Sequence, residues 1–278
     1  METSKQSSLK VMAVLAVLIA LFLIVATPFI VQTSLGRVLE NLVDVVKERP
    51  QFTSGFAIFN LFYPIWQALA FVAGIVLLVI TPSILKGEKW VSPVLLILYA
   101  IPSIGGMFMF LPYVSWVGGF PLPMVISWVG LIGYWVTIWL QDADRFQKTV
   151  DFLVLTFLGM LATHAFVIGV GSQRQLMVRA GKPLYQGLQY YILTLVGEVN
   201  WIAVILMFAA ILLIAMRKKA GWYLALISAF SILAINIPTQ FIRTKTLDYL
   251  YGSILAIFLV IFLLIPSFKA RLFTEIKK

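Results

Sequence analysis

The chain has 278 residues, 62% of them hydrophobic and 12% charged, with no cysteine, one histidine and a formal net charge of +10. An apolar share so far above the roughly 45–50% of soluble domains excludes a water-soluble globular fold and points to an integral membrane protein. The lack of cysteine excludes disulfides, thiolate nucleophiles and Cys-ligated iron–sulfur clusters in this chain, and a lone histidine excludes a bis-His haem.

Met1 to Lys10 reads as a short polar tail. Val11 to Val31 is a first span of about 20 residues, enough to cross roughly 30 Å of hydrocarbon. It is too long for a typical signal core, and no small-x-small cleavage site follows. Gln32 to Ser54 sets Leu35, Val38, Leu39, Leu42 and Val45 at helical spacing among Arg37, Glu40, Asp44 and Lys47. That pattern predicts a short amphipathic helix lying on the membrane face or beneath a partner, ended by Pro50. Ala57 to Ile80 is the second span, with Asn60, Pro64 and Gln67 inside it. Val91 to Leu111 is the third, broken by Pro102 and Gly105-Gly106. Pro112 to Leu122 carries no charge but holds Tyr113 and Trp116, which suits an aromatic anchor at the interface.

Pro123 to Leu140 is the fourth span, and Gln141 to Val150 a charged loop. The fifth span begins at Asp151 and carries His164. A basic loop from Gly171 to Gln186 then brings Arg174, Arg179 and Lys182. The sixth span, Gly187 to Met216, holds Glu198 and Asn200. Trp222 to Phe241 and Tyr249 to Pro266 are the seventh and eighth, and Ser267 to Lys278 is a basic tail.

The expected fold is therefore an all-α integral membrane protein of about eight transmembrane helices in one domain. An even number of spans puts both termini on one side. The excess of Lys and Arg on that side places the termini in the cytoplasm of a plasma-membrane protein, with the Arg174–Lys182 loop outward. The basic residues are spread over short loops, so the expected partner is the lipid bilayer and not nucleic acid. A weak echo relates residues 11–140 to 151–266. Ala26-Thr27 recurs as Ala162-Thr163, and Ile101-Pro102-Ser103 as Ile237-Pro238-Thr239, both at an offset of 136. An offset of four spans implies a parallel repeat and two four-helix bundles.

Ionisable side chains inside a span cost roughly 2.5–3.5 kcal/mol on insertion scales and tend to have a task. Counted from Leu188, Glu198 lies about 15 Å along its helix, near the midplane. A carboxyl there suits proton transfer, against the alternative of a protonated packing residue. Asn200 points elsewhere on the helix and reads as packing glue. The imidazole of His164 suits proton exchange with a small redox molecule, against the alternative of a capped interfacial histidine. Asn60 and Gln67 are the matching polar positions of the other half.

The stretches Ala162-Thr-His-Ala-Phe-Val-Ile-Gly-Val-Gly171, Gly181-Lys-Pro-Leu-Tyr185 and Ser127-Trp-Val-Gly130 after an uncharged loop resemble the membrane subunit of polysulfide reductase-type enzymes, the NrfD/PsrC family. The resemblance covers Ala57 to Met216. The sequence departs from the family at Pro64-Ile-Trp-Gln67, where a glycine-rich core is expected, and at Pro112-Tyr113, where an acidic loop is expected. The first span has no counterpart. The resemblance implies two four-helix bundles and a quinone-interacting anchor. Such an anchor exchanges electrons between the quinone pool and an iron–sulfur subunit on the outer face, and it holds no cofactor of its own. On that reading His164, with Asn60 and Gln67, contacts quinone, Glu198 moves protons, and Arg179, Lys182, Pro183 and Tyr185 dock the partner. Two other classes stand beside it: a cofactor-free structural subunit of a larger complex, and a small-solute transporter with its site around Glu198 and Gln67.

Overall fold

The computed structural model describes residues 2–177 and 187–273. Hydrocarbon offers the backbone no partners, so apolar runs of this length close their hydrogen bonds internally as helices. The elements are α1 (Glu2–Leu21), a π turn (Phe22–Ala26), α2 (Thr27–Glu48), a 3-10 turn (Pro50–Phe52), α3 (Gly55–Lys86), α4 (Val91–Trp116), α5 (Pro123–Leu140), α6 (Arg145–Leu176), α7 (Leu188–Ala215), α8 (Lys219–Ile242), α9 (Asp248–Leu264) and α10 (Pro266–Phe273). Among the described residues seven helical runs are long and apolar enough to cross a membrane, or eight if α9 and α10, bent by 75°, count as one span.

The helices form two antiparallel bundles. In bundle one, α1 packs on α3 and α5, α3 on α4, and α4 on α5. In bundle two, α6 packs on α7 and α9, α7 on α8, and α8 on α9. The bundles meet chiefly where α4 lies against α6 and α7. Edge-on rings fill this seam: Phe62 lies 5.4 Å from both Phe166 and Trp201, and Trp66 lies 5.1 Å from Phe166.

Two expectations are corrected. The amphipathic segment after the first span does not lie on the membrane face. It continues that span as α2, across the π turn in which the Thr27 N–H bonds Phe22 O. Pro28, with no N–H to give, falls just past this turn and does not stop the helix. The stripe Val31, Leu35, Val38 and Leu42 is buried, and α2 packs on α3 and α4. Periodicity reports that a face is buried, not what buries it. Next, α4 is not broken at Pro102 or Gly105-Gly106, and it runs on through Pro112 to Trp116. Gly106 is there for close approach, since a Cβ on it would strike the main chain of Pro123 and Ser127 on α5. The basic tail forms a helix over its first part, as α10.

Few polar bonds fix how the apolar helices sit on one another. On the α10 side, Arg217 meets Asp151 through two 2.6 Å hydrogen bonds, with side chains 9% and 2% exposed. Gln147 Nε2 also donates to Asp151, at 3.0 Å. Arg217 reaches in from the α7–α8 turn, where its φ is 59°. Nearby, Arg271 of α10 bonds Asp144 at 2.5 Å. The Gln147 amide N–H and this guanidinium hold the exposed Asp144 carboxyl below the usual carboxylate range. On the α2 side, Ser54 Oγ donates to Arg174 O at 2.6 Å, Arg174 Nη1 donates to Gln51 O at 3.2 Å, and its guanidinium lies 4.4 Å over Phe52. That clamp ties bundle one to the end of α6.

Breaking the buried pair should be costly. Asp151→Asn leaves the Arg217 charge uncompensated and should lose about 3–5 kcal/mol, whereas Asp151→Leu with Arg217→Met should lose less than either single change. Thermal unfolding of the purified protein in detergent checks both. The Asp144 contribution, with its depressed carboxyl, is present above the unfolded pKa and fades as pH falls through the lower folded value. Asp144→Asn should therefore flatten the acid limb of stability against pH, measured by the same unfolding assay.

Candidate functional site

Midway along bundle two, a polar cluster forms where its four helices converge. Asn200 on α7 and Asn236 on α8 are fully buried. Asn200 Nδ2 donates to Asn236 Oδ1 at 3.0 Å and to Val196 O at 2.8 Å. Amide pairs of this kind link helices in lipid. His164 comes from α6. Gly252 comes from α9 and lets the others converge. A Cβ on Gly252 would sit 2.7 Å from Asn236 Nδ2 and 2.9 Å from His164 Nδ1. The imidazole and the carboxamide thus flank one point of α9. Asp248, at the start of α9, also faces the imidazole, through main chain and carboxylate. Ile168, Leu193, Val196, Ile235 and Tyr249 form a small apolar cluster apart from the main core, on the same four helices.

Among the described residues, three atoms here lack a hydrogen-bond partner: His164 Nδ1, Asn200 Oδ1 and Asn236 Nδ2. Each such buried group costs about 1–3 kcal/mol when left unmade. Together they offer two donor-capable nitrogens and one acceptor oxygen within apolar walls. That set suits a small polar guest or the carbonyl end of a larger apolar one. Among the described residues no group of three His, Cys, Asp or Glu is placed to hold a metal ion.

The other site residues expected from the sequence lie elsewhere. Glu198 is exposed on α7, and its Oε1 accepts from Gln173 Nε2 of α6 at 2.6 Å. Gln173 is nine residues beyond His164, about 13.5 Å along α6 and half a turn round it. Glu198 and His164 therefore stand on different seams and share no site. The depth read for Glu198 does not make it buried, because its helix turns that face outward. Asn60 is exposed and its Nδ2 bonds back to Phe56 O at 2.8 Å. Gln67 is half-buried and accepts from Gln32 of α2 at 3.1 Å. Both belong to bundle one, apart from the cluster. Arg179, Lys182, Pro183 and Tyr185 lie outside the described residues. Two shallow apolar grooves run along α1, lined by Val14, Leu18 and Leu85 in one and by Phe22, Val129 and Ile132 in the other. Neither reaches His164.

Sequence reasoning missed Asn236 and Gly252. Asn236 carried a signal: an amide within an apolar span, two residues before Pro238, in the span after the one holding Asn200. Gly252 carried none, because a glycine in a transmembrane helix is common.

The chain is a multi-pass, all-helical membrane protein with a buried polar cluster in its second bundle. It matches no family model, no curated protein and no solved structure.

Gly252→Val would push a branched side chain into Asn236 and His164. Overpacking of this kind costs about 1–3 kcal/mol. The expected result is a lowered unfolding midpoint together with a shifted imidazole resonance of His164, the only histidine, in NMR of the 15N-histidine-labelled protein.

Proposed function

We propose that this protein is the quinone-interacting membrane subunit of a respiratory oxidoreductase, and that the quinone head group docks at His164 and Asn236 between α6, α8 and α9. The observation that carries the reading is the convergence of two unpartnered nitrogens, His164 Nδ1 and Asn236 Nδ2, on one point beside Gly252. A quinone carbonyl oxygen accepts hydrogen bonds from an imidazole N–H and an amide N–H, and its ring and tail need apolar walls. His164 is half-buried, and its Nδ1 is turned inward toward Gly252.

Interconversion of quinone and quinol moves two electrons and two protons. In this reading the electrons pass to or from an iron–sulfur partner docked on the outer face by Arg179, Lys182, Pro183 and Tyr185. His164 exchanges a proton at the carbonyl oxygen and Asp248 renews it from the head of α9. Glu198, Asn60 and Gln67 have no part in this contact. The resemblance to polysulfide reductase-type subunits belongs to the same proposal, as do a plasma-membrane location and cytoplasmic termini.

A photoreactive menaquinone or ubiquinone analogue tests it. Cross-links mapped by mass spectrometry should fall on α6, α8 and α9, and unlabelled quinone should displace them. His164→Leu and Asn236→Leu should each reduce labelling tenfold or more, with Glu198→Gln unchanged. Labelling that ignores both substitutions, or falls in bundle one, overturns the site. The bond between Asn200 and Asn236 favours a second reading, a structural subunit in which the cluster only joins helices. Then His164→Leu alters stability but not quinone turnover of the assembled complex.

A further inference from the structure

The α10 side of bundle two carries an arrangement that the quinone reading does not use. Pro266 opens α10 at 75° to α9, so the chain turns sharply at the end of its last long apolar helix. The segment Pro-Ser-Phe-Lys-Ala-Arg-Leu-Phe has the mixed apolar and basic make-up of an interfacial helix. Its apolar residues are seated on bundle two: Leu272 is buried, the Phe268 ring lies 5.9 Å from Phe146, and the Phe273 ring lies 5.9 Å from Trp222. Trp222 Nε1 donates to Leu263 O at 2.8 Å, which fixes the first turn of α8 against the last turn of α9.

The cations here are not all used in the same way. Arg271 is taken by Asp144. Lys269 instead lies 4.3 Å over the ring of Trp222, and Lys219 lies 5.6 Å over the ring of Tyr223. Those two rings are neighbours, 4.8 Å apart. Among the described residues neither lysine pairs with a carboxylate. Two ammonium groups are thus held over an aromatic pair at the end of the bundle, where tryptophan and tyrosine mark the lipid headgroup level. A cation over a ring keeps its outward hydrogens free for an anion. The anion that occurs at that depth is a phospholipid phosphate.

We propose that the seam between the first turn of α8 and α10 binds the headgroup of an anionic phospholipid, with its phosphate taken by Lys219 and Lys269 above Trp222 and Tyr223. In this arrangement α10 is the element that brings Lys269 to the site. The proposal is independent of any quinone.

The test uses the full chain, delipidated in a neutral detergent, with native mass spectrometry and thermal unfolding as readouts. Added phosphatidylglycerol should be retained by the wild-type protein and should raise its unfolding midpoint, while phosphatidylcholine should do neither. Lys219→Gln with Lys269→Gln should reduce phosphatidylglycerol retention tenfold or more. Lys86→Gln with Lys89→Gln, in the α3–α4 turn of the other bundle, should leave it unchanged. Equal retention by the site variant, equal retention of phosphatidylcholine, or displacement of the lipid by millimolar inorganic phosphate overturns the proposal. If the double variant does not fold, Lys219→Gln alone decides, because Lys219 is exposed and outside the packed core. Its retention should drop several-fold, and no drop overturns the site.

Discussion

Hydrocarbon cannot hydrogen-bond, and that constraint governs this molecule before any side chain is considered. Each main-chain N–H and C=O in the membrane must find its partner within its own helix. The rule is strong enough that Pro64, Pro82, Pro102, Pro112 and Pro238 all stay inside helices. The same rule turns Ser103 and Thr239 back onto carbonyls one turn earlier, at Tyr99 and Ile235. Helix formation is therefore settled locally, and the open question for this chain is which helix lies beside which.

Burial of apolar surface answers that question poorly, since lipid tails are as apolar as leucine. Small residues and a handful of polar bonds answer it instead. Asp151 and Arg217 lock the α7–α8 turn to α6 at one end of bundle two. The Arg174 clamp joins the bundles at the opposite end. Between them, Asn200 and Asn236 tie α7 to α8 at a depth where no water competes. Arg37 on α2 donates to the Tyr113 hydroxyl of α4 at 2.8 Å, which fixes the long first helix on bundle one. The aromatic seam of Phe62, Trp66, Phe166 and Trp201 fills the space between bundles without adding direction.

Charge proved a poor guide to where the interior polar site lies. Glu198 has the highest cost of burial in its span, and the fold answers by turning it outward against Gln173. The neutral amides go inside, because an amide can be left partly unpaired at a cost that a carboxylate would exceed several-fold. His164 occupies the middle ground, half-buried, with one nitrogen unpartnered beside Asn236. The cluster is thus rich in hydrogen-bonding capacity and poor in fixed charge, a character that suits an uncharged guest with a polar end.

The all-helical membrane class, the number of spans and most span limits are written in the sequence, because hydropathy over about 20 residues decides whether a segment can cross. Pro123 to Leu140 needed no correction at either end. The pairing of helices into two bundles was hinted at by a faint repeat and by the bundles that the family resemblance implies. What lies opposite a given face was not legible at all. The stripe on α2 announced a buried face, yet only the assembled fold shows that α3 and α4 cover it. His164 stood out as the lone imidazole, but its neighbours Asn236 and Gly252 come from α8 and α9, more than seventy residues further along the chain. Such convergence depends on the rotation of each helix about its axis. That angle is set by contacts between distant segments, which no local pattern of residues records.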